Sequence, residues 1–148
     1  MHSTIHASAV LAGARAVLIR GPSGSGKSRL VLDLISAAEA GHLRFARLVA
    51  DDRAEIETAA DRLLVRPAAT LAGLIEVRGL GLRRLPCEPV AVVGLVVDLA
   101  AADAQRLPAL EQRRVVIAGV VLPRLAIDAT APALPLVIAA LHLAESTV

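Results

Sequence analysis

Aromatic rings are almost absent from this chain of 148 residues: Phe45 is the one Phe, and Trp and Tyr do not occur. Platforms on which single-stranded bases stack are therefore missing, which counts against nucleic-acid binding. The core has to be built from Leu, Val, Ile and Ala. Cysteine occurs once, as Cys87, so no internal disulfide can form and a reducing, cytoplasmic setting is expected. Cys87 reads as a small packed side chain rather than a thiol nucleophile. No apolar run reaches the roughly 20 residues of a membrane span; the longest, such as Val115 to Leu122 and Leu134 to Leu141, fall well short. The first residues carry no positive cluster, and Arg15 and Arg20 break the apolar run that follows, so no signal peptide is expected. Basic tails are missing too. The net charge is +2, and Arg83-Arg84 and Arg113-Arg114 are the only arginine doublets. Neither nucleic acid nor membrane is an expected partner.

What is present describes one domain, residues 1–148. Hydrophobic residues make up 55% of the chain, enough for a packed core at this length without metals or disulfides. Repeats, linkers and low-complexity tracts are missing. Lysine, like cysteine, occurs once, at Lys27, against fifteen arginines.

That single lysine stands in Arg20-Gly21-Pro22-Ser23-Gly24-Ser25-Gly26-Lys27-Ser28. The spacing is that of a phosphate-binding loop, and a compact ammonium reaches between phosphate oxygens where a planar guanidinium fits poorly. Ala16 to Ile19 reads as a buried strand before the loop, and Ser28 to Ala40 as a helix after it, with Gly41 as its C-cap. Strand, glycine loop and helix is the context such a loop needs. Gly21 to Ser28 are thus candidate nucleotide-binding residues: backbone amides and the helix N-terminus hold phosphate, Lys27 neutralises the β- and γ-phosphates, and Ser28 offers its hydroxyl to Mg²⁺. The alternative is a glycine turn that merely starts a helix.

Further strands are expected over Phe45 to Ala50, Arg53 to Thr58, and Leu63 to Val65, with a hairpin turn near Ala60-Asp61. Ile75 to Gly81, Val90 to Leu99, Val115 to Val121 and Arg124 to Ile127 follow as strand-like runs, and Pro132 to Glu145 as a closing helix. The fold class is α/β: a mixed sheet carrying the loop, with flanking helices. Asp51-Asp52 ends an apolar strand, at the edge of an open sheet where ligands sit. Neighbouring side chains on an extended chain point opposite ways. One acid can face Mg²⁺ and the other a reacting hydroxyl, as a general base; equally, an acidic pair can open a turn. Glu76 and Arg78 are spaced to share one strand face as a salt bridge. His6 is a lone histidine before the first strand, and His142 a structural helix residue.

In order, "IHASAVL", "GPSGSGKS", "LVADDRAEI", "LIEVRGLGL" and "LPRLAI" resemble the C-terminal catalytic domain of HPr kinase/phosphorylase over nearly the whole chain, in a short form without the family's N-terminal domain. The resemblance implies the HPr kinase and PEP carboxykinase type of fold. It implies an enzyme that uses ATP and Mg²⁺ to phosphorylate a serine of HPr, the phosphocarrier of the sugar phosphotransferase system. The reverse activity uses inorganic phosphate and releases pyrophosphate. Carried over, His6, Lys27, Asp52 and Arg106 are catalytic, with Asp52 accepting the serine proton. Ser28, Asp51 and Glu76 hold the metal, and Glu76, Arg78, Gly79 and Gly81 belong to the signature segment. A homo-oligomer in the cytoplasm is implied. Where relatives carry a basic loop associated with dephosphorylation, this chain reads "IDATAPAL", with no arginine. Two other classes compete: a kinase of small hydroxy metabolites, and a nucleotide-binding regulator without catalysis.

Overall fold

The structure, a computed structural model, describes residues 2–143 and Glu145. Eleven strands and two helices follow one another: β1 (His2–Ile5), β2 (Ala7–Ala12), β3 (Arg15–Arg20), α1 (Lys27–Glu39), β4 (Ala46–Ala50), β5 (Ala54–Ala59), β6 (Arg62–Pro67), β7 (Leu74–Val77), β8 (Gly81–Arg84), β9 (Ala91–Leu99), β10 (Arg114–Ile117), β11 (Val120–Ile127) and α2 (Ala133–His142). Nine strands form one sheet, in the order β1-β5-β6-β9-β3-β2-β4, with β11 also on β9 and β10 on β11; β7 and β8 form a separate hairpin.

The long strand β9 organises the sheet. Its first residues pair antiparallel with β6 through Leu64–Val92 and Val65–Ala91. Its later residues run parallel to β3 on one edge and to β11 on the other. The antiparallel strands β1, β5 and β6 therefore curl away from a parallel centre made of β3, β9 and β11. Because β3 is covered on both faces, its side chains alternate between two apolar layers and the run reads as continuously hydrophobic. Ala16 and Leu18 join Val65, Val93 and Val96 in one layer; Val17 and Ile19 join Leu30, Val31 and Leu34 of α1 in the other. The buried positions of α1 recur at helical spacing, which is what docks it on the sheet. Both helices pack into this second layer, so helices flank one face only, and the curled strands cover the other.

Most expected elements are present, with three corrections. Two strands, β1 and β2, precede the one expected to come first, and His6 lies between them. The run Val115 to Val121 is a hairpin, broken where Ala118 and Gly119 adopt φ of 50° and 80°; β-branched residues on both sides disguised the turn. Arg78 lies beyond the end of β7, in the turn before β8, so Glu76 and Arg78 do not share a strand face, and among the described residues no ion pair joins them. The turn at Ala60-Asp61 is as expected, with both residues at positive φ. No described helix is long and apolar enough to cross a membrane.

Candidate active site

The strand β3 ends at Arg20, and the glycine loop carries the chain to α1. Gly26 holds φ at 99° just before Lys27, a conformation that costs most other residues dearly. Gly21 is needed for space: a Cβ there would stand 2.5 Å from Ser25 Oγ and 3.2 Å from the Leu99 carbonyl oxygen. Ser25 Oγ is buried with no hydrogen-bond partner, an unused donor inside the loop. The first turn of α1 contains no acidic residue of its own, so the positive end of its dipole is left to groups outside the helix. Lys27 is buried, and its Nζ donates to the carbonyls of Gly21 at 3.0 Å and Pro22 at 3.2 Å. The ammonium is thus held across the mouth of the loop.

β4 runs beside β2 and delivers the acidic doublet to the same edge. Asp51 is buried, and three donors hold its carboxylate. Ser28 Oγ donates to Oδ1 at 2.6 Å, Ser8 Oγ to Oδ1 at 3.0 Å, and the Glu76 amide to Oδ2 at 3.0 Å. Asp52 turns outward, with φ at 65°, a left-handed conformation costing a non-glycine residue about 1–2 kcal/mol. Its amide donates to Ser8 Oγ at 3.0 Å. Its carboxylate lies 2.5 Å from His6 Nε2, and 60% of its side chain remains open to solvent. Strained backbone of this kind collects at functional sites. One acid is enclosed and fully hydrogen-bonded, and the other faces outward beside an imidazole.

These groups line one cleft of about 520 Å³, from Ser23 to Arg29 on one side and Asp51, Asp52, Glu76, Val77 and Arg78 on the other. Of the residues expected from sequence, Ser23 to Ser28, Asp51, Asp52, Glu76 and Arg78 meet there. Gly21 and Pro22 support Lys27 from behind, and His6 reaches the site through Asp52. Gly79 and Gly81 shape the turn after β7. Arg106 lies exposed in the segment after β9, and it is not among the residues that line the cleft.

Among the described residues no three His, Cys, Asp or Glu side chains form a metal cage. A magnesium site of the nucleotide kind needs none, because Mg²⁺ keeps several waters and takes substrate phosphates together with one or two carboxylates. Ser28, Asp51 and Glu76 supply only oxygen donors, and the Ser28 hydroxyl is already locked beside a carboxylate. These residues fit such an ion.

Two features escape a reading of the sequence. Ser8, fully buried, joins the two acids through one hydroxyl. Its only signal is its place two residues after His6, on the same side of an extended chain. The second is an ionic clamp behind the loop. Arg20 donates to Asp98 through Nε at 2.7 Å and Nη2 at 2.9 Å, and Arg124 Nε donates to the same carboxylate at 2.6 Å. Arg124 also grips Asp103 through both Nη atoms, at 2.7 and 3.0 Å. Burial pushes the Asp98 carboxyl up, but the hydrogen bonds and charges of Arg20 and Arg124 outweigh it and hold the group below the usual carboxylate range. The clamp fixes the last residue of β3 against β9, at the point where the loop departs.

The chain matches the family described as HPr Serine kinase C-terminal domain over residues 1–131. It is 48% identical over 67 residues to the HPr kinase/phosphorylase of an Exiguobacterium species, a match covering 45% of this chain and 19% of that protein. It is 41% identical over 70 residues to the HPr kinase/phosphorylase of Clostridium tetani, covering 47% of this chain and 21% of that one. The matched stretches thus span about a fifth of these curated relatives. The solved structure of the Hpr(Ser) kinase/phosphatase from Coxiella burnetii superposes with a TM-score of 0.74 at 26% identity, over 94% of this chain and 93% of that one.

Proposed function

Because the chain belongs to the HPr Serine kinase C-terminal domain family, we propose that it transfers the γ-phosphoryl group of ATP to a serine of an HPr-type phosphocarrier protein. The observation that carries this reading is the meeting of the glycine loop, Asp51, Asp52 and Glu76 in one cleft. Binding alone needs only the loop; an outward carboxylate beside it suits a reaction with a hydroxyl.

In this reading the loop amides and the N-terminus of α1 cradle the phosphates. Lys27 leaves the Gly21 and Pro22 carbonyls for phosphate oxygens and offsets their charge. Asp51 stays put, orienting the Ser28 hydroxyl. The incoming serine approaches from solvent on the Asp52 side. Its oxygen bonds to the γ-phosphorus as the bond to the bridging oxygen of ADP breaks, and its proton passes to the Asp52 carboxylate. His6 fixes the rotamer of Asp52, so the carboxylate meets the hydroxyl in one orientation. Mg²⁺ bound among Ser28, Asp51 and Glu76 would neutralise charge on the transferring group. The reverse reaction runs through the same groups, with inorganic phosphate taking up the serine phosphoryl group and releasing pyrophosphate. Self-association belongs to the same reading: Val116 and Val121 pair across the β10–β11 hairpin and are 63% and 64% exposed, an apolar spot that a second copy could cover.

The experiment mixes the protein with Mg-ATP and HPr and looks for phosphoserine, then adds phosphate and looks for pyrophosphate. Phosphoserine on HPr is expected. Phosphorylation of free hydroxy compounds with HPr untouched, or ATP bound without turnover, would overturn the reading.

A further inference from the structure

Arg124 lies in β11, and only 14% of its side chain is exposed. Its guanidinium makes four hydrogen bonds. Nε donates to Asp98 Oδ2, Nη1 and Nη2 hold the two oxygens of Asp103, and Nη1 also donates to the Gln112 carbonyl at 3.2 Å. Lysine could not take this place, because its compact ammonium lacks the planar fork that meets two carboxylates at once.

From Arg124 the contacts continue in series to the glycine loop. Asp98 stands opposite Arg20 in the pairing of β9 with β3, and opposite Ala126 in the pairing of β9 with β11. Its carboxylate therefore lies at the middle of the three parallel strands. Arg20 takes the other side of that carboxylate with Nε and Nη2. The next residue on each strand is where the loop is tightest. Gly21 follows Arg20 and Leu99 follows Asp98, and a Cβ on Gly21 would stand 3.2 Å from both the Cβ and the carbonyl oxygen of Leu99. Gly21 in turn offers its carbonyl to Lys27 Nζ at 3.0 Å. Asp103, Arg124, Asp98, Arg20, Gly21 and Lys27 thus form one connected line. Its first four members line no part of the cleft that holds Lys27 and the acids.

We infer that Arg124 is a positioning residue for the glycine loop, acting on Gly21 through Asp98 and Arg20, and that Asp103 contributes by holding Arg124. The inference rests on the reading of that loop as a phosphate site. Phosphate there meets backbone amides, and an amide cannot re-aim as a side chain can. The fit of the loop is set by where the end of β3 delivers it, and small misplacements originating far from the chemistry are costly.

Calorimetry measures Mg-ATP binding to the wild type, Arg124→Gln, Asp103→Ala and the double variant, and steady-state assays give KM for ATP and for HPr. Melting curves set a temperature at which all four are folded. Arg124→Gln should weaken ATP binding by about tenfold, a factor worth about 1.4 kcal/mol, and Asp103→Ala by about threefold. The double variant should match Arg124→Gln within about twofold, since Asp103 then has nothing left to hold. KM for ATP should rise in step while KM for HPr stays within about twofold, because HPr approaches on the Asp52 side. A loss of folded protein alone would lower the apparent kcat and move neither KM. Unchanged ATP affinity in folded Arg124→Gln overturns the assignment, and so does a double variant whose effect is the product of the two single ones. KM rising equally for both substrates also overturns it, because the whole cleft would then have shifted. The expected pattern of ATP affinities in a protein that forms no phosphoserine on HPr upholds the positioning role and removes only the proposed reaction. A wild type that binds no ATP removes the phosphate site, and this role with it.

Discussion

The Ser8 hydroxyl donates to Asp51 Oδ1 at 3.0 Å while accepting the Asp52 amide at 3.0 Å. One buried atom group from β2 therefore sets the position of both acids at the end of β4. Ser8→Ala leaves the Asp52 amide without a partner, at a cost of about 1–3 kcal/mol. It also frees the doublet to move. Phosphoryl transfer should fall while ATP affinity holds, and Ser8→Thr should restore the rate. A shift in the binding constant for ATP with kcat unchanged would contradict this role.

Lys27 sits where its ammonium bridges two loop carbonyls at 3.0 and 3.2 Å. Arginine carries the same charge but cannot place it as a point among phosphate oxygens. Lys27→Ala and Lys27→Arg should both lose detectable phosphoryl transfer. Calorimetric titration and phosphoserine formation check the pair; an active Lys27→Arg would show that charge alone suffices.

Asp98 is gripped from both sides by Arg20 and Arg124. Asp98→Asn leaves two clustered guanidinium groups poorly compensated and should destabilise the fold by about 3 kcal/mol at pH 7. The carboxyl titrates lower in the folded protein than in the unfolded chain. Its stabilisation is therefore complete above about pH 4 and is lost as pH falls through the folded value. Urea midpoints at pH 7, 4 and 3 should show the gap between wild type and variant closing toward low pH. A gap independent of pH would assign the loss to packing.

Gly21 is the loop residue whose replacement meets the most resistance. An alanine Cβ would stand 2.5 Å from Ser25 Oγ, so either the loop or the serine must shift. Gly21→Ala should weaken ATP binding by about tenfold or more, with a melting temperature little changed. Unaltered ATP affinity would show that the loop accommodates a methyl group there.

The local features were legible in the sequence because their signals are local. The glycine loop, the strand before it, α1 and the acidic doublet all lie within residues 16–52 and follow from spacing and periodicity. The turn at Ala60-Asp61 likewise needs only two residues. What escaped is non-local or disguised. Arg20 and Asp98 are 78 residues apart, and nothing near either one announces the other. Ser8 resembles any strand serine until β4 is laid beside β2. The β10–β11 turn hides in an apolar run because Ala118 takes a positive φ that alanine rarely adopts. The curl of β1, β5 and β6 depends on β9 changing partners along its length, which no single strand encodes.

The central claim is that Asp52 removes the proton from the incoming hydroxyl, while the glycine loop does the binding. Asp52→Asn keeps the size of the side chain and takes away its basicity. Single-turnover phosphorylation of HPr, measured beside calorimetric binding of Mg-ATP, should show affinity within about twofold of wild type and transfer slowed by about 100-fold or more. A variant that binds ATP and transfers phosphate as fast as wild type would contradict the account.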